Sequence, residues 1–125
     1  MDRVLWISIG AMLGANARYW LGVWAAQRWG AAFPWGTFII NLSGSFLLGL
    51  FMTLVTGRYP VDPNLRLLVT VGFLGAYTTF STFTYESINL FMKGQWLAGL
   101  LNVLGSMALG LLAAGFGVYL GKALS

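Results

Sequence analysis

Gly72-Phe73-Leu74-Gly75-Ala76-Tyr77-Thr78-Thr79-Phe80-Ser81-Thr82-Phe83-Thr84-Tyr85-Glu86 sets hydroxyls, glycines and aromatics inside a long apolar run. A lone Thr or Ser in a membrane helix usually bonds back to a carbonyl on the previous turn. Five in seven residues (Thr78, Thr79, Ser81, Thr82 and Thr84) ask for more than that. Gly72 and Gly75 precede the β-branched pair Thr78-Thr79, a combination that weakens helix continuity. Interrupted helices at membrane depth border a cavity or an ion site. The sequence therefore predicts a break at residues 75–79. A break frees carbonyl oxygens, which are costly in a low-dielectric interior unless a cation or a donor meets them. A hard cation such as sodium suits them, and a bound water or a neighbouring hydroxyl is the simpler reading. If two antiparallel subunits set their breaks back to back, four such oxygens converge on one ion.

Working outward, the rest of the chain says what surrounds this stretch. Of its 125 residues 58% are hydrophobic and only 8% charged, against about a quarter charged in a soluble domain. Lipid is the expected solvent. Four apolar runs, at residues 4–26, 33–56, 65–92 and 95–119, each reach the roughly 20 residues a helix needs to cross a bilayer. The polar joints between them hold Arg28, Arg58, Asp62, Lys93 and two of the three prolines, Pro60 and Pro63, where helices should stop. The expected fold is an all-α integral membrane protein of four transmembrane helices, the third broken mid-membrane, in a single domain over residues 1–125. Arg3, an apolar run and Ala15-Asn16-Ala17 imitate a cleavable signal. Asp2 offsets Arg3, however, and the sequence stays apolar through Trp20 and Trp24, so the first span is read as retained.

Composition also excludes functions. There is no Cys or His, and the acids are Asp2, Asp62 and Glu86 alone. No metal cage, nucleophile–base pair or carboxylate dyad can be built from them, so the chain is not read as an enzyme. The net charge of +4 comes from seven basic residues scattered among span ends and joints, the membrane-protein pattern, and no nucleic-acid partner is expected.

Those basic residues set orientation weakly. With the amino terminus in the cytoplasm, Arg3, Arg58, Arg66 and Lys122 fall on one side and Arg28 and Lys93 on the other, with Arg18 inside its span. Such balance permits insertion both ways and hence an antiparallel homodimer. Four helices have little interior, so a polar route shared between two subunits is the easier arrangement. Gly10 and Gly14, Ser106 and Gly110, and Gly117 and Gly121 are small pairs one turn apart that let backbones approach, whether within one chain or between two.

Asn41 is the second informative residue. It lies mid-span in Phe38-Ile39-Ile40-Asn41-Leu42, where an unpaired amide costs several kcal/mol. Thr37 and Ser45 lie one turn to either side, giving a polar stripe that is either interhelical glue or part of a pathway. Ser106 adds a hydroxyl from the fourth span. The mid-membrane groups of the second and third spans are uncharged donors, together with the electropositive ring edges of Phe80 and Phe83. Donors favour an anion. Neutral ones replace its hydration and still let it leave, as conduction requires. Phe80 and Phe83 share a helix face and flank a narrow track, with Ser81 and Thr82 beside it.

Gly14-Ala15-Asn16-Ala17-Arg18-Tyr19, Gly36-Thr37-Phe38-Ile39-Ile40-Asn41-Leu42-Ser43-Gly44 and residues 72–83 together resemble the signatures of the CrcB/Fluc fluoride channels of microbial membranes. The likeness covers the whole chain, and length and span number agree. It implies a dual-topology homodimer in the bacterial inner (plasma) membrane, with two parallel pores exporting fluoride passively and so protecting the cytoplasm. By position, Phe80, Phe83 and Asn41 match pore residues. Gly75 and Thr78 match the break whose carbonyls hold a structural, untransported Na+ at the dimer axis. Thr37, Ser81, Thr82 and Ser106 match polar groups along the pore, Glu86 a pore end and Arg18 a vestibule; an ordinary ion pair or a snorkelling Arg also accounts for the last two. Tyr77 matches nothing assigned. Two other classes compete. A small multidrug exporter needs an acidic residue inside the first span, where there is none; an assembly subunit would use the polar stripe as glue and pass no ions.

Overall fold

The computed structural model describes residues 2–125, and these are helical apart from short joints. Helix α1 runs Asp2–Trp29 and α2 Trp35–Thr56. The third long element is assembled from pieces: α3 (Pro63–Leu67), a π-helical segment (Leu68–Leu74), α4 (Gly75–Tyr77) and, beyond an interruption, α5 (Phe80–Met92). Helix α6 runs Trp96–Leu124. The expected runs are all present, though α1 and α6 continue past residues 26 and 119 to Trp29 and Leu124.

The joints follow from local chemistry. Gly30 (φ 81°) and Gly94 (φ 77°) adopt the left-handed conformation that turns the chain after α1 and after α5, a conformation nearly free of cost only for glycine. At the start of α3, Pro63 occupies the first turn and the Asn64 N–H donates to Asp62 Oδ1 at 2.8 Å, which satisfies one of the helix's orphan donors.

Helix α2 (22 residues), the third element taken whole (Pro63–Met92) and α6 (29 residues) are each long and apolar enough to cross a membrane; the protein is a multi-pass membrane protein of four long helices, one of them bent. Helix α1, at 28 residues, has the length but carries Asn16 and Arg18 in its middle and is the most polar of the four.

Glycine decides how closely these helices pack. Along α1, Gly10 lies against the Leu68 carbonyl and Gly72, and Gly14 against the Phe73 carbonyl; a Cβ at either glycine would run into backbone. On the other seam Gly117 of α6 sits on the Phe46 carbonyl and Gly121 on Thr53 of α2. Two of the three small pairs expected from sequence are thus contacts within the chain. The third is different: Gly110 has no atom within 4 Å of its would-be Cβ. Between the seams sits a small core of Ile40, Leu74 and Tyr77, with Ala17, Leu21, Val69 and Phe73 packed on it.

Candidate functional site at the helix break

The interruption falls at Thr78 and Thr79, inside the expected window, at the middle of Pro63–Met92. Thr78 (φ −81°, ψ 153°) and Thr79 (φ −148°, ψ 117°) are extended. The N–H and Oγ1 of Thr78 both donate to Leu74 O, at 3.0 and 2.9 Å, so the last turn before the break stays closed. Beyond that point a side chain from another helix replaces the backbone ladder. Asn41 Nδ2 donates to Thr79 O at 3.1 Å, and the Thr79 N–H donates to Asn41 Oδ1 at 2.9 Å. One amide thereby satisfies both polar groups of an extended residue at membrane depth, where leaving either unpaired costs about 1–3 kcal/mol. Neither Thr37 nor Ser45 is Asn41's partner.

Each end created by the break is capped. Thr79 Oγ1 accepts the Thr82 N–H at 3.1 Å and so caps α5, as a threonine at this position does. The carbonyl of Ala76 accepts from Arg18 Nε at 3.2 Å, and a guanidinium there also meets the negative end of the helical turn. Gly75 O has lost its usual helical donor, because the Thr79 N–H is committed to Asn41.

Beside the break lies a groove of about 310 Å³, open on its outer side and lined in part by Asn41, Ser45, Gly75, Thr78, Phe80 and Phe83. No charged side chain lines it. Phe80 is 78% exposed, and its ring lies 6.1 Å from that of Phe83 with a 49° tilt, so two ring rims bound one side of the groove. A second cavity of about 210 Å³ lies where the α1–α2 joint meets the far end of α5; Thr37, Glu86, Asn89 and Lys93 are among its lining residues. Glu86 Oε1 is buried there without a hydrogen-bond partner among the described residues.

The expected site residues therefore divide. Asn41, Gly75, Thr78, Phe80 and Phe83 share the groove, whereas Thr37 and Glu86 belong to the second cavity. Ser81 is exposed and Thr82 half-buried on the first turn of α5. Ser106 donates to Asn102 Oδ1 at 3.5 Å. Arg18 is tied to the break itself. Sequence reading passed over Asn102, 1% exposed, whose Nδ2 donates to Ser87 Oγ at 2.9 Å while Ser87 donates to Phe83 O at 2.8 Å. An amide in the middle of Leu101-Asn102-Val103 was signal enough to find it. Nothing in the sequence pointed to the Tyr77 hydroxyl, 2.9 Å from Ser43 Oγ.

The groups that line the groove are uncharged donors, carbonyl oxygens and aromatic rims, while Arg18, a charged group, reaches the break through Ala76 O. Among the described residues no three His, Cys, Asp or Glu side chains gather as a metal cluster needs. A multi-pass helical membrane protein with a charge-free polar groove at a mid-span helix break is the class that fold and site define. Residues 5–118 match the family model described as CrcB-like protein, Camphor Resistance (CrcB), and the chain belongs to that family. It is 48% identical over 122 residues to a fluoride-specific ion channel of Chloroflexus aurantiacus, covering 98% of this chain and 97% of that one. To the fluoride-specific ion channel of a Roseiflexus species it is 46% identical, over 95% and 93% of the two chains. To that of Koribacter versatilis it is 50% identical, over 87% and 86%.

Proposed function

We propose that this protein is a fluoride-specific ion channel, not an enzyme, that lets fluoride leave the cell passively and so keeps the cytoplasmic concentration low. The observation that carries the reading is the groove: donors and ring rims without a fixed charge, at the middle of a membrane-spanning element, in a chain alike over nearly its whole length to proteins named for fluoride conduction. Neutral donors take over from water around a small anion and still release it. Asn41 Nδ2 carries two hydrogens and spends one on Thr79 O, which leaves the other for the ion. Helix α5 begins at the break, so the Phe80 and Ser81 N–H groups have no carbonyl one turn earlier in their own helix, and the positive end of its dipole faces the same place. Phe80 and Phe83 present ring edges. Ser81, Thr82, Thr37 and Ser106 extend the polar route, with Glu86 toward one end and Arg18 near a vestibule.

Helix α1 is the fourth span in this reading. Its polar residues are provided for, since Asn16 Nδ2 donates to Met12 O at 2.8 Å and Arg18 to Ala76 O. The working unit is an antiparallel homodimer. Extended backbone at membrane depth must be covered by protein or line a water-filled cavity, and a groove open on its outer side calls for a second copy; balanced basic residues at the two ends permit the inverted orientation. The residues of the break fit a structural Na+, because Gly75 O has lost its helical donor and hard cations take oxygen ligands. The carbonyls of Gly75 and Thr78 from both copies would hold it, and bound there it would tie the two breaks together electrostatically without being transported.

Liposomes containing purified protein and loaded with fluoride or chloride, read with ion-selective electrodes, test this. Rapid fluoride efflux with negligible chloride efflux is expected; vesicles as fluoride-tight as protein-free ones would end the reading.

A further inference from the structure

We infer that the Tyr77 hydroxyl is a positioning group that holds the broken element in register for the cation site, acting through Ser43 and touching neither ion. The inference rests on the fluoride-channel reading with its structural cation and concerns a residue that reading does not use. Tyr77 is the last helical residue before the break and is 6% exposed. Its ring stacks on Phe73, centroids 5.7 Å apart and planes 17° from parallel, and it belongs to the core with Ile40 and Leu74. Packing alone accounts for the ring. It does not account for the oxygen, since a buried phenol needs a partner to offset its desolvation.

That partner is Ser43 Oγ at 2.9 Å, and Ser43 Oγ also lies 3.1 Å from Ile40 O. A serine has one proton to give. If it goes to the Ile40 carbonyl, which can only accept, then Tyr77 must be the donor to Ser43. The chain Tyr77 O–H to Ser43 Oγ to Ile40 O ends one residue before Asn41, whose amide grips Thr79. Helix α2 therefore holds the break from both sides: Ser43 fixes the residue before Thr78 and Asn41 the residue after it. Gly44, the next residue along α2, lies against the same stretch, and a Cβ there would run into the Thr78 side chain and stand 3.3 Å from the Tyr77 ring. With Tyr77 and Thr79 both fixed, Thr78 has little freedom to rotate, and its carbonyl is one of the two assigned to the cation. A phenylalanine at 77 would preserve the ring packing and release only the first grip.

The test is a sodium titration of wild type, Tyr77→Phe and Ser43→Ala by two readouts, melting temperature of the purified protein and fluoride efflux from liposomes. Losing one neutral hydrogen bond should raise the sodium concentration at half-maximal effect roughly two- to tenfold in either variant. The double variant should shift no further than the singles, because both remove the same link. Saturating sodium should restore wild-type efflux, which a general loss of fold would not allow. An unchanged sodium midpoint in both readouts, or efflux lowered equally at every sodium concentration, overturns the inference. Should Tyr77→Phe fail to yield folded protein, Ser43→Ala alone decides between these outcomes. Failure of the underlying reading looks different: wild type itself would then show no fluoride efflux, or efflux and melting indifferent to sodium, and the inference would fall with it.

Discussion

The glycine seams and the helix break solve opposite problems. Where α1 meets the π-helical segment and α2 meets α6, glycines let backbone touch backbone, and the helices keep their own hydrogen bonds. At residues 78–79 the helix gives up its ladder, and side chains from elsewhere make good the loss: Asn41 on Thr79, Arg18 on Ala76. The seams are complete within one chain. The break is complete neither in its hydrogen bonds nor in its cover: the Thr79 N–H that would serve Gly75 O is held by Asn41, and Phe80 is 78% exposed beside an open groove. In the proposed reading rigidity and permeation are thus segregated: packed seams fix the scaffold, and the irregular backbone borders the path assigned to the ion.

The sharpest way to break that contrast is Asn41→Asp. A carboxylate can still accept the Thr79 N–H, but it faces the Thr79 carbonyl with no hydrogen to offer and places a negative charge in the path proposed for the anion. Fluoride efflux should fall by roughly 100-fold or more, on the reasoning that permeation needs sites that attract the ion and release it. Normal conduction by a monodisperse Asn41→Asp protein would separate Asn41 from the pathway and leave it as a structural clamp.

How much of this was legible beforehand depends on the range of the interaction involved. The four apolar runs, their joints and the window of the break lie in local composition, and so could be read directly. The π-helical segment over Leu68–Leu74 has no signature in local composition, and neither does the close backbone approach of Gly10 and Gly14 to it. Asn41 announced its need for a partner but not its identity, since the partner is a backbone group 38 positions away whose availability exists only after the helix breaks. Arg18 is a similar case: its acceptor, a carbonyl 58 positions on, is likewise made available by the break. Ser43 had no separate signal, because a serine hydroxyl on an apolar helix usually bonds to its own previous turn, and Tyr77 had none, because an aromatic in an apolar run reads as packing.

A second, more moderate effect probes the seams. Gly14→Val should destabilise by the upper end of about 1–3 kcal/mol, because the added atoms meet the Phe73 carbonyl and not a flexible side-chain tip. Melting temperature and the yield of monodisperse protein report it. A Gly14→Val protein as stable as wild type would mean that the α1 seam adjusts freely and is no scaffold. Next in size is Phe80→Ile, which keeps bulk and hydrophobicity but removes a ring edge. Fluoride efflux should slow about tenfold, equivalent to about 1.4 kcal/mol in the barrier and comparable to a good aromatic contact, with melting temperature unchanged because so exposed a ring supports little of the fold.

The smallest expected effect bears on the one small pair whose glycine packs against nothing among the described residues. A Cβ at Gly110 would have nothing within 4 Å. For a single chain in lipid, Gly110→Ala should then be neutral or stabilising by up to about 1 kcal/mol, since alanine loses less backbone freedom on forming a helix. The substitution becomes harmful only if another surface lies against that turn. Measuring melting temperature together with the dimer fraction in detergent distinguishes the two cases. An unchanged or raised melting temperature with normal dimerisation makes this stretch of α6 lipid-facing and confines the proposed second copy to the groove beside the break. A loss in both would extend the interface to α6 near Ser106 and Gly110, and the division between a self-sufficient scaffold and an incomplete break would then have to be drawn along a different line.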